Sequence, residues 1–248
     1  MKRFFYIITL LTTLTTNALA QERRVQNRPY TDLRKFHFGV LVGTHLQDIE
    51  FENIGSQVVT FENGSTSETL ITCDQDRWDG GFNVGVLGEL RLNSNFAFRV
   101  APAMYFGARH LTFRNLRNIE AGIEPKEQRQ DLKTAYISAA CDIIFTAQRF
   151  NNHRPYIMAG INPMINLSGK DDDFIKLKRY DIFLEIGAGC DFYLPYFKLR
   201  PELKFLYGLT NTLDQTHASS LRDKNKLPYT QSVSQAHSKM VVLTFHFE

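Results

Sequence analysis

The chain repeatedly alternates large apolar residues with small or polar ones, and this pattern constrains its fold more than any other feature. In residues 36–46 the even positions are mostly apolar, whereas the odd positions include His37, Gly39, Gly43 and His45. A period of two is typical of a β-strand with one apolar side. The same period recurs in residues 82–92, 96–106, 137–145, 155–166, 180–192, 197–209 and 240–247. We therefore predict eight strands.

Two of these segments fit a second interpretation. Residues 137–145 also match a helical stripe, so strand and helix both remain open there; its members are Leu132, Tyr136, Ala140, Ile143 and Ala147. Pro102 lies inside the segment 96–106. Because proline has no N–H to donate, a proline within a strand normally indicates an edge strand or a bulge.

The connections between the predicted strands alternate between short and long. The short ones are residues 93–95, 148–153 and 193–196, and the longer ones lie near residues 50–80, 110–131, 168–178 and 211–235. Outer-membrane barrels show this alternation, with short turns in the periplasm and longer loops outside. A soluble sandwich has no reason to keep every second connection short. The sequence therefore predicts an all-β fold, an eight-stranded antiparallel transmembrane β-barrel of outer-membrane type.

The N-terminal residues 1–20 have the organisation of a signal peptide. Lys2 and Arg3 precede an apolar core, and Ala18 and Ala20 occupy the positions that a signal peptidase reads. The alternative is a buried N-terminal strand. We predict a removed signal peptide at 1–20, a periplasmic N-terminal extension at 21–35 and an outer-membrane barrel at 36–248.

Composition excludes several other classes of protein. A hydrophobic fraction of 43% with 22% charged residues does not suit a polytopic helical membrane protein. Removing residues 1–20 lowers the formal net charge from +3 to +1, which leaves no electrostatic footprint for nucleic acid. Cys73, Cys141 and Cys190 are too few for a disulfide scaffold, and the sequence does not determine their redox state.

Aromatic residues concentrate at the strand ends beside the predicted short turns. Such residues are favoured at a membrane interface, where they form a girdle. The predicted members are Phe36, Phe38, Phe96, Phe98, Phe145, Tyr156, Phe192, Tyr193, Tyr196, Phe197, Phe245 and Phe247.

The polar sides of the predicted strands carry charges of both signs. Eight strands leave a lumen that side chains can fill, and an isolated buried charge is costly, so we expect these charges to pair. The predicted lumen charges are Glu89, Arg91, Arg99, Asp142, Asp181, Glu185, Asp191, Arg200, Glu202 and Lys204. A closed bore is unsuited to a porin, and places function in the loops, the periplasmic turns or the outer surface.

Chemical motifs are few. The sequence contains no GxSxG, HExxH, CxxC or phosphate-loop pattern. The carboxylates at 171–173 lack the spaced oxygen ligands of a calcium loop. We therefore predict no metal, no cofactor and no small-molecule substrate. Lys176, Lys178 and Arg179 are candidate contacts for lipopolysaccharide phosphates. His237 beside Ser238 suggests a barrel lipid hydrolase, but the two occupy different sides of a strand without an orienting carboxylate.

Several stretches resemble PorT-type outer-membrane barrels. They are residues 81–85, 151–156, 191–204 and 245–248, and the stretch 191–204 is the most specific. The resemblance implies an accessory role in type IX secretion, which exports surface proteases, adhesins or gliding-motility proteins, and it implies no catalytic residues. The sequence departs from the family in the polar segment near 138–142 and in the long loop before Cys73.

The distinctive stretches fall at the predicted periplasmic turns, where tyrosine and arginine are residue types enriched at binding hot spots. We therefore predict a periplasmic docking surface formed by Arg154, Tyr156, Tyr193, Tyr196 and Lys198, with barrel anchoring as the alternative role. The expected partners are other secretion-system components and outer-membrane lipid. Two other functions stay open: a small adhesin or structural barrel that acts through its extracellular loops, and the lipid hydrolase.

Overall fold

Antiparallel β-strands form almost all of the structure, a computed structural model that describes residues 25–60, 66–169, 173–221 and 226–248. The strands are β1 (Phe36–Asn53), β2 (Ser56–Thr60), β3 (Thr66–Asp74), β4 (Asp79–Arg91), β5 (Phe96–Asn115), β6 (Glu127–Thr146), β7 (His153–Asn166), β8 (Tyr180–Tyr193), β9 (Lys198–Gly208) and β10 (Val233–Phe247). The helices are the 3-10 turn Thr31–Leu33, α1 (Leu116–Ala121), α2 (His217–Ser220) and α3 (Leu227–Thr230). None of the described helices has the length and apolar character to cross a membrane.

Eight of the strands close into a ring. Strand β1 pairs with β10 on one side and with β4 on the other, so that Val42 lies opposite both Phe245 and Val84. The remaining neighbours are β4–β5, β5–β6, β6–β7, β7–β8, β8–β9 and β9–β10, all antiparallel. The predicted eight-stranded barrel is confirmed. Strands β2 and β3 form a hairpin outside this ring, and β3 extends the sheet by pairing with the end of β5.

The two ends of the barrel differ. Residues 92–95, 147–152 and 194–197 connect strands at one end, here called the short-turn end, where β1 begins and β10 finishes. The opposite, long-loop end carries the β2–β3 hairpin and the three helices. Strands β5 and β6 continue past their neighbours at the long-loop end, as far as the pair Arg114 and Glu127.

Strand β6 settles the ambiguity of residues 137–145. The side chains alternate between inside and outside along the whole of Glu127–Thr146, with Leu132, Tyr136 and Ala140 buried. Ile143, which a helical stripe would place beside Ala140, faces outward and is 47% exposed. The helical alternative is wrong, because pairing with β5 and β7 on both edges imposes the period of two.

Pro102 lies within a ring strand that keeps its register. Gly85 pairs with Ala103 and Gly88 with Val100 in one unshifted ladder, and only the pairs between them are missing. On its other edge, Pro102 pairs with Ala139. The prediction of an edge strand or bulge at Pro102 is wrong. The missing N–H interrupts one ladder locally, and strong pairing on the other edge keeps the strand in the ring.

The outer face carries an apolar band with aromatic rings at the short-turn end. Phe96 packs on Phe145 with ring centroids 5.1 Å apart, and Phe197 lies 6.0 Å from Phe247. Two residues predicted for this girdle are placed wrongly. Tyr156 and Tyr193 are 3% and 1% exposed, because their positions in β7 and β8 share the inward side.

Side chains fill the interior along its length. The main charge cluster occupies the short-turn end, as described below. The middle layer is apolar and consists of Leu41, Leu87, Ala101, Ala103, Tyr105, Tyr136, Ala140, Met164, Phe183, Leu206, Met240 and Val242. A second apolar core covers the long-loop end and consists of Ile49, Ile71, Cys73, Leu111, Phe113, Leu132, Ile175, Leu177, Leu213, Val233 and Ala236.

Candidate functional site: the charged lumen and the short-turn end

Two fully buried arginines form the centre of the lumen charge cluster. Arg99 on β5 lies 2.6 Å from Glu202 and 3.3 Å from Glu89. Arg200 on β9 lies 2.7 Å from the same Glu89 and 2.6 Å from Asp191. The pairs Arg99–Glu202 (β5 and β9) and Arg200–Glu89 (β9 and β4) cross the bore and connect separate walls, whereas the other two pairs join neighbouring strands.

Aromatic contacts reinforce this centre. The ring centroid of Tyr156 lies 4.9 Å from the guanidinium carbon of Arg200 and 5.7 Å from that of Arg99. Its hydroxyl donates a 2.8 Å hydrogen bond to Glu202. A cation over an aromatic face gains electrostatic attraction that grows when water is excluded. Tyr156 therefore acts as a wall of the charge cluster and has no exposed edge to offer a partner.

The cluster extends toward both ends of the bore. Near the short-turn end, Lys198 forms an ion pair with Glu248, whose carboxylate also lies 3.4 Å from His37. Deeper in the lumen, Lys204 lies 3.5 Å from Glu185 and 3.9 Å from a carboxylate oxygen of Glu202. The Glu185 carboxylate also accepts a 3.0 Å hydrogen bond from Asn162.

The ten lumen charges predicted from the sequence fall into four groups. Ion pairs connect Glu89, Arg99, Glu185, Asp191, Arg200, Glu202 and Lys204. Arg91 lies at the rim, where its Nε donates to the Asn93 carbonyl. Asp181 is buried near the long-loop end, where a Thr210 hydroxyl donates to it. Asp142 is fully buried in the lumen beside Gly160.

The lumen also holds charged groups that the sequence analysis assigned elsewhere or overlooked. The sequence predicts Lys198 on a docking surface, yet Lys198 lies on the same side of β9 as Arg200 and Glu202. Arg109 is fully buried and donates to Gln47 and to the Ser238 hydroxyl, both at 3.1 Å. The alternation of inward and outward positions along β9 and β5 is the sequence signal that identifies both residues as lumen residues.

His237 and Ser238 do not form a catalytic pair. Ser238 faces the lumen and accepts from Arg109. His237 faces outward, where its ring stacks on Tyr207 with centroids 6.1 Å apart, and its Nδ1 lies 3.1 Å from the Gly208 carbonyl oxygen. A hydrolase needs nucleophile and base within hydrogen-bond reach, and these side chains lie on opposite faces of β10.

The five predicted docking residues do not share an exposed surface. Tyr156, Tyr193 and Lys198 are buried, whereas Tyr196 is 92% exposed at the turn between β8 and β9. Arg154 is mostly covered and donates to the Ala147 carbonyl at 2.9 Å. A partner can reach Tyr196 directly. It can reach the other four residues only if the segments that cover them at the short-turn end move.

Residues 25–35 cover the short-turn end, which explains part of this burial. Arg149 lies over the Tyr193 ring at 3.6 Å and forms an ion pair with Asp32 at 3.5 Å. Residues 1–24, which hold the predicted signal peptide and the start of the predicted extension, lie outside the described residues.

The remaining candidate groups are metal ligands, the basic residues near Lys178 and the three cysteines. Among the residues that the structure describes, no three His, Cys, Asp or Glu side chains are grouped to hold a metal ion. Residues 171 and 172 lie outside that part of the chain. Lys178 donates to the Asn211 carbonyl at 2.9 Å. The three cysteines are free thiols, and burial raises the pKa of the Cys73 thiol well above its usual value.

Comparisons with known proteins agree with this architecture. The sequence matches the family described as outer membrane protein beta-barrel domain over residues 19–214. A search of curated proteins finds no match.

Solved structures with a similar fold include three barrels. Neisserial surface protein A is 11% identical with a TM-score of 0.42, and the match covers 86% of this chain and 98% of that one. OprG of Pseudomonas aeruginosa is 12% identical with a TM-score of 0.43, over 84% and 93% of the two chains. Ail, the attachment invasion locus protein of Yersinia pestis, is 12% identical with a TM-score of 0.38, over 86% and 99%. Similarity at this level concerns the fold alone.

Proposed function

We propose that this chain, which belongs to the outer membrane protein beta-barrel domain family, is an accessory component of type IX secretion that acts by contact with other proteins. The filled lumen is the observation that supports action by contact with other proteins. Ion pairs, an apolar middle layer and a second core at the long-loop end occupy the interior. A barrel filled in this way offers its turns, loops and outer face to partners.

The assignment to type IX secretion is supported by where the PorT-like stretches lie. Residues 151–156 and 191–204 include the turns before β7 and between β8 and β9, and both belong to the short-turn end. Short turns face the periplasm in outer-membrane barrels. A secretion system that spans the periplasm would meet this end first, and Tyr196, at 92%, is the most exposed aromatic residue there.

A second candidate is a small adhesin-type barrel that acts through its extracellular loops. The observation in its favour is the folded long-loop end, where Phe113, Phe174 and Tyr229 pack with ring centroids 5.2–5.7 Å apart. Ion pairs hold the surface of the same region, including Arg117 with Glu68 at 2.6 Å. A platform with its own core can present a defined surface to a partner outside the cell.

Deleting the gene and examining the exported proteins separates the two candidates. For the secretion role we expect loss of proteins with C-terminal signal domains from the medium and the cell surface. An unchanged export profile with weakened surface attachment would reject the secretion role and favour the adhesin.

Two exposed substitutions locate the working end. Tyr196→Asp at the short-turn end should lower export while barrel abundance in the outer membrane stays the same. Arg117→Ala at the long-loop end is the matched control and should leave export unchanged. The opposite result would contradict action through the periplasmic turns.

Purified protein in planar bilayers should show no steady ionic conductance, since side chains fill the bore.

A further inference from the structure

Residues 25–33, here called the strap, lie against the turn between β6 and β7 through their backbone. The Asn152 side chain accepts from the Asn27 N–H at 2.9 Å and donates to the Val25 carbonyl at 3.1 Å. Arg149 donates to the carbonyl oxygens of Asn27 and Arg28. Main-chain groups are the same in every polypeptide, so these contacts recognise the path of the backbone, which turns here before the 3-10 helix Thr31–Leu33, and not a particular sequence.

Side chains of the strap add specificity. Asn27 donates from its side chain to the Tyr193 carbonyl at 3.0 Å, and Arg28 donates to the Glu248 carbonyl at 3.1 Å. The Asp32 carboxylate accepts a 2.5 Å hydrogen bond from the Tyr193 hydroxyl. It also lies 3.5 Å from Arg149 and 3.6 Å from Arg154. One hydroxyl donor and two guanidinium groups, from two strands and a turn, therefore surround one carboxylate, which selects a negatively charged side chain at this position.

The strap buries little apolar surface in return. Val25, Tyr30 and Leu33 are 86%, 76% and 66% exposed. Hydrophobic burial supplies most of the free energy that holds ordinary elements in place. A segment held mainly by hydrogen bonds and one carboxylate can therefore exchange with another chain that offers the same groups.

Backbone strain marks both sides of this contact. Among the residues that the structure describes, the non-glycine residues with positive φ are Arg28 at 50° and Asn151 at 49°. Arg28 belongs to the strap and Asn151 to the turn that holds it. Such conformations persist only where the surrounding contacts over-determine them, and they concentrate at clamps and switch regions.

We propose that Arg149, Asn152, Arg154 and Tyr193 form a periplasmic binding site for a short, turn-forming peptide segment with an acidic side chain, and that the strap occupies this site until a partner displaces it. In the strap, the carboxylate follows the clamped Asn27 backbone by five positions. Tethering gives the strap an effective concentration in the millimolar range. A peptide in solution must therefore bind more tightly than the strap to displace it at a lower concentration, or the strap must first be released.

The identity of the partner as a secretion component rests on the proposed function, whereas the occupied site does not. Displacing the strap would free the Tyr193 hydroxyl and the Arg154 guanidinium, which Asp32 of the strap now contacts. This accounts for a docking surface that is closed in the isolated chain.

Peptide binding to the purified mature barrel in detergent tests the proposal. The probe is a fluorescent peptide with the sequence of residues 25–34, measured by anisotropy. We expect Asp32→Asn in the barrel to loosen its own strap and to raise affinity for the probe at least about tenfold over the unsubstituted barrel, the range for a lost hydrogen bond to a charged group. A probe that itself carries Asp32→Asn should bind the same variant correspondingly more weakly.

Adding Arg149→Ala to the Asp32→Asn barrel should abolish probe binding, and the shift in electrophoretic mobility between unheated and heated samples reports whether each variant is folded. Should Arg149→Ala fail to fold, Asn152→Ala replaces it, since Asn152 makes two of the backbone contacts. Equal probe affinity of the unsubstituted and Asp32→Asn barrels, or equal binding of the two probes, would overturn the proposal. Export assays do not enter this test, so either proposal can fail while the other stands.

Discussion

Nη1 of Arg99 lies 2.6 Å from a carboxylate oxygen of Glu202, and the side chains of these residues are 1% and 0% exposed. Arg99 comes from β5 and Glu202 from β9, on different sides of the ring. Their ion pair therefore spans the bore and connects two walls that share no backbone hydrogen bonds. Its removal is the most direct probe of the filled lumen.

Arg99→Met should destabilise the folded barrel by about 3–5 kcal/mol, because Glu202 would keep a buried charge without its closest partner. Urea unfolding from lipid vesicles measures this free energy. Arg91→Met is the matched control at the rim, where the side chain donates to the Asn93 carbonyl, and should cost under about 1 kcal/mol. Similar costs for both variants would contradict the assignment of Arg99 to a closed charge cluster.

Leu184→Arg tests the outer face. Leu184 faces outward from β8 and is 45% exposed, so the new charge would enter the hydrocarbon layer and cost about 2–4 kcal/mol. Leu209 also faces outward, but follows β9 at the long-loop end. We expect Leu209→Arg to cost about 0–1 kcal/mol near the interface. Equal unfolding free energies for the two variants would argue against the depth assigned to Leu184.

Cys73 should resist modification in the folded protein. It is 1% exposed in the core of the long-loop end, and burial with the nearby Asp74 carboxylate raises its pKa. Since the thiolate is the reactive form, a raised pKa lowers reactivity at neutral pH. In a chain with Cys141→Ala and Cys190→Ala, we expect maleimide labelling of Cys73 to be roughly a hundredfold slower than that of an exposed thiol.

The matched control for this experiment is Glu68→Cys on the same strand, in a chain whose three native cysteines are replaced by alanine. Glu68 is exposed on β3. Raising the pH from 7 to 8 should speed labelling of this control by about tenfold. Cys73 should stay slow throughout, and rapid labelling of Cys73 in the folded state would show that the loop core is open.

Asp76 and Arg114 provide a surface contrast to the lumen. Arg114 donates to both carboxylate oxygens of Asp76 at 2.8 Å, and this hydrogen bonding lowers the pKa of Asp76. Their side chains are 44% and 35% exposed, so solvent screens the pair. We therefore expect Asp76→Asn to reduce the free energy of unfolding by less than about 1 kcal/mol at pH 7.

The pH dependence of this small effect has a definite sign. Because folding lowers the Asp76 pKa, its contribution is complete above the ordinary aspartate value near about 3.9 and disappears as the pH falls through the lowered value. The difference between Asp76→Asn and the unsubstituted protein should vanish in acid. A difference that grows on acidification would contradict this ion pair.

The period of two in the sequence predicts which side chains face the lumen, and it holds up to the strand ends. Tyr193 occupies the same side of its strand as Asp191 and Glu185, and Lys198 the same side as Arg200, so all five face the lumen. Tyr193 and Lys198 were nevertheless expected at a docking surface, because their proximity to a turn outweighed the period of two. A strand keeps its alternation up to the last paired residue, which decides the direction of both side chains.

The sequence by itself determined the number of strands in the ring, the alternation of sides along them and the order of short and long connections, since these follow from local periodicity and turn length. It did not indicate the β2–β3 hairpin outside the ring. Only the tertiary structure decided that the strap closes the short-turn end and that Ile71, Leu132, Ile175 and Leu213 share one core. Those contacts join segments far apart in the chain, and no local pattern encodes them. They exist because the pairing of β1 with β10 closes the ring and brings distant loops to the same end.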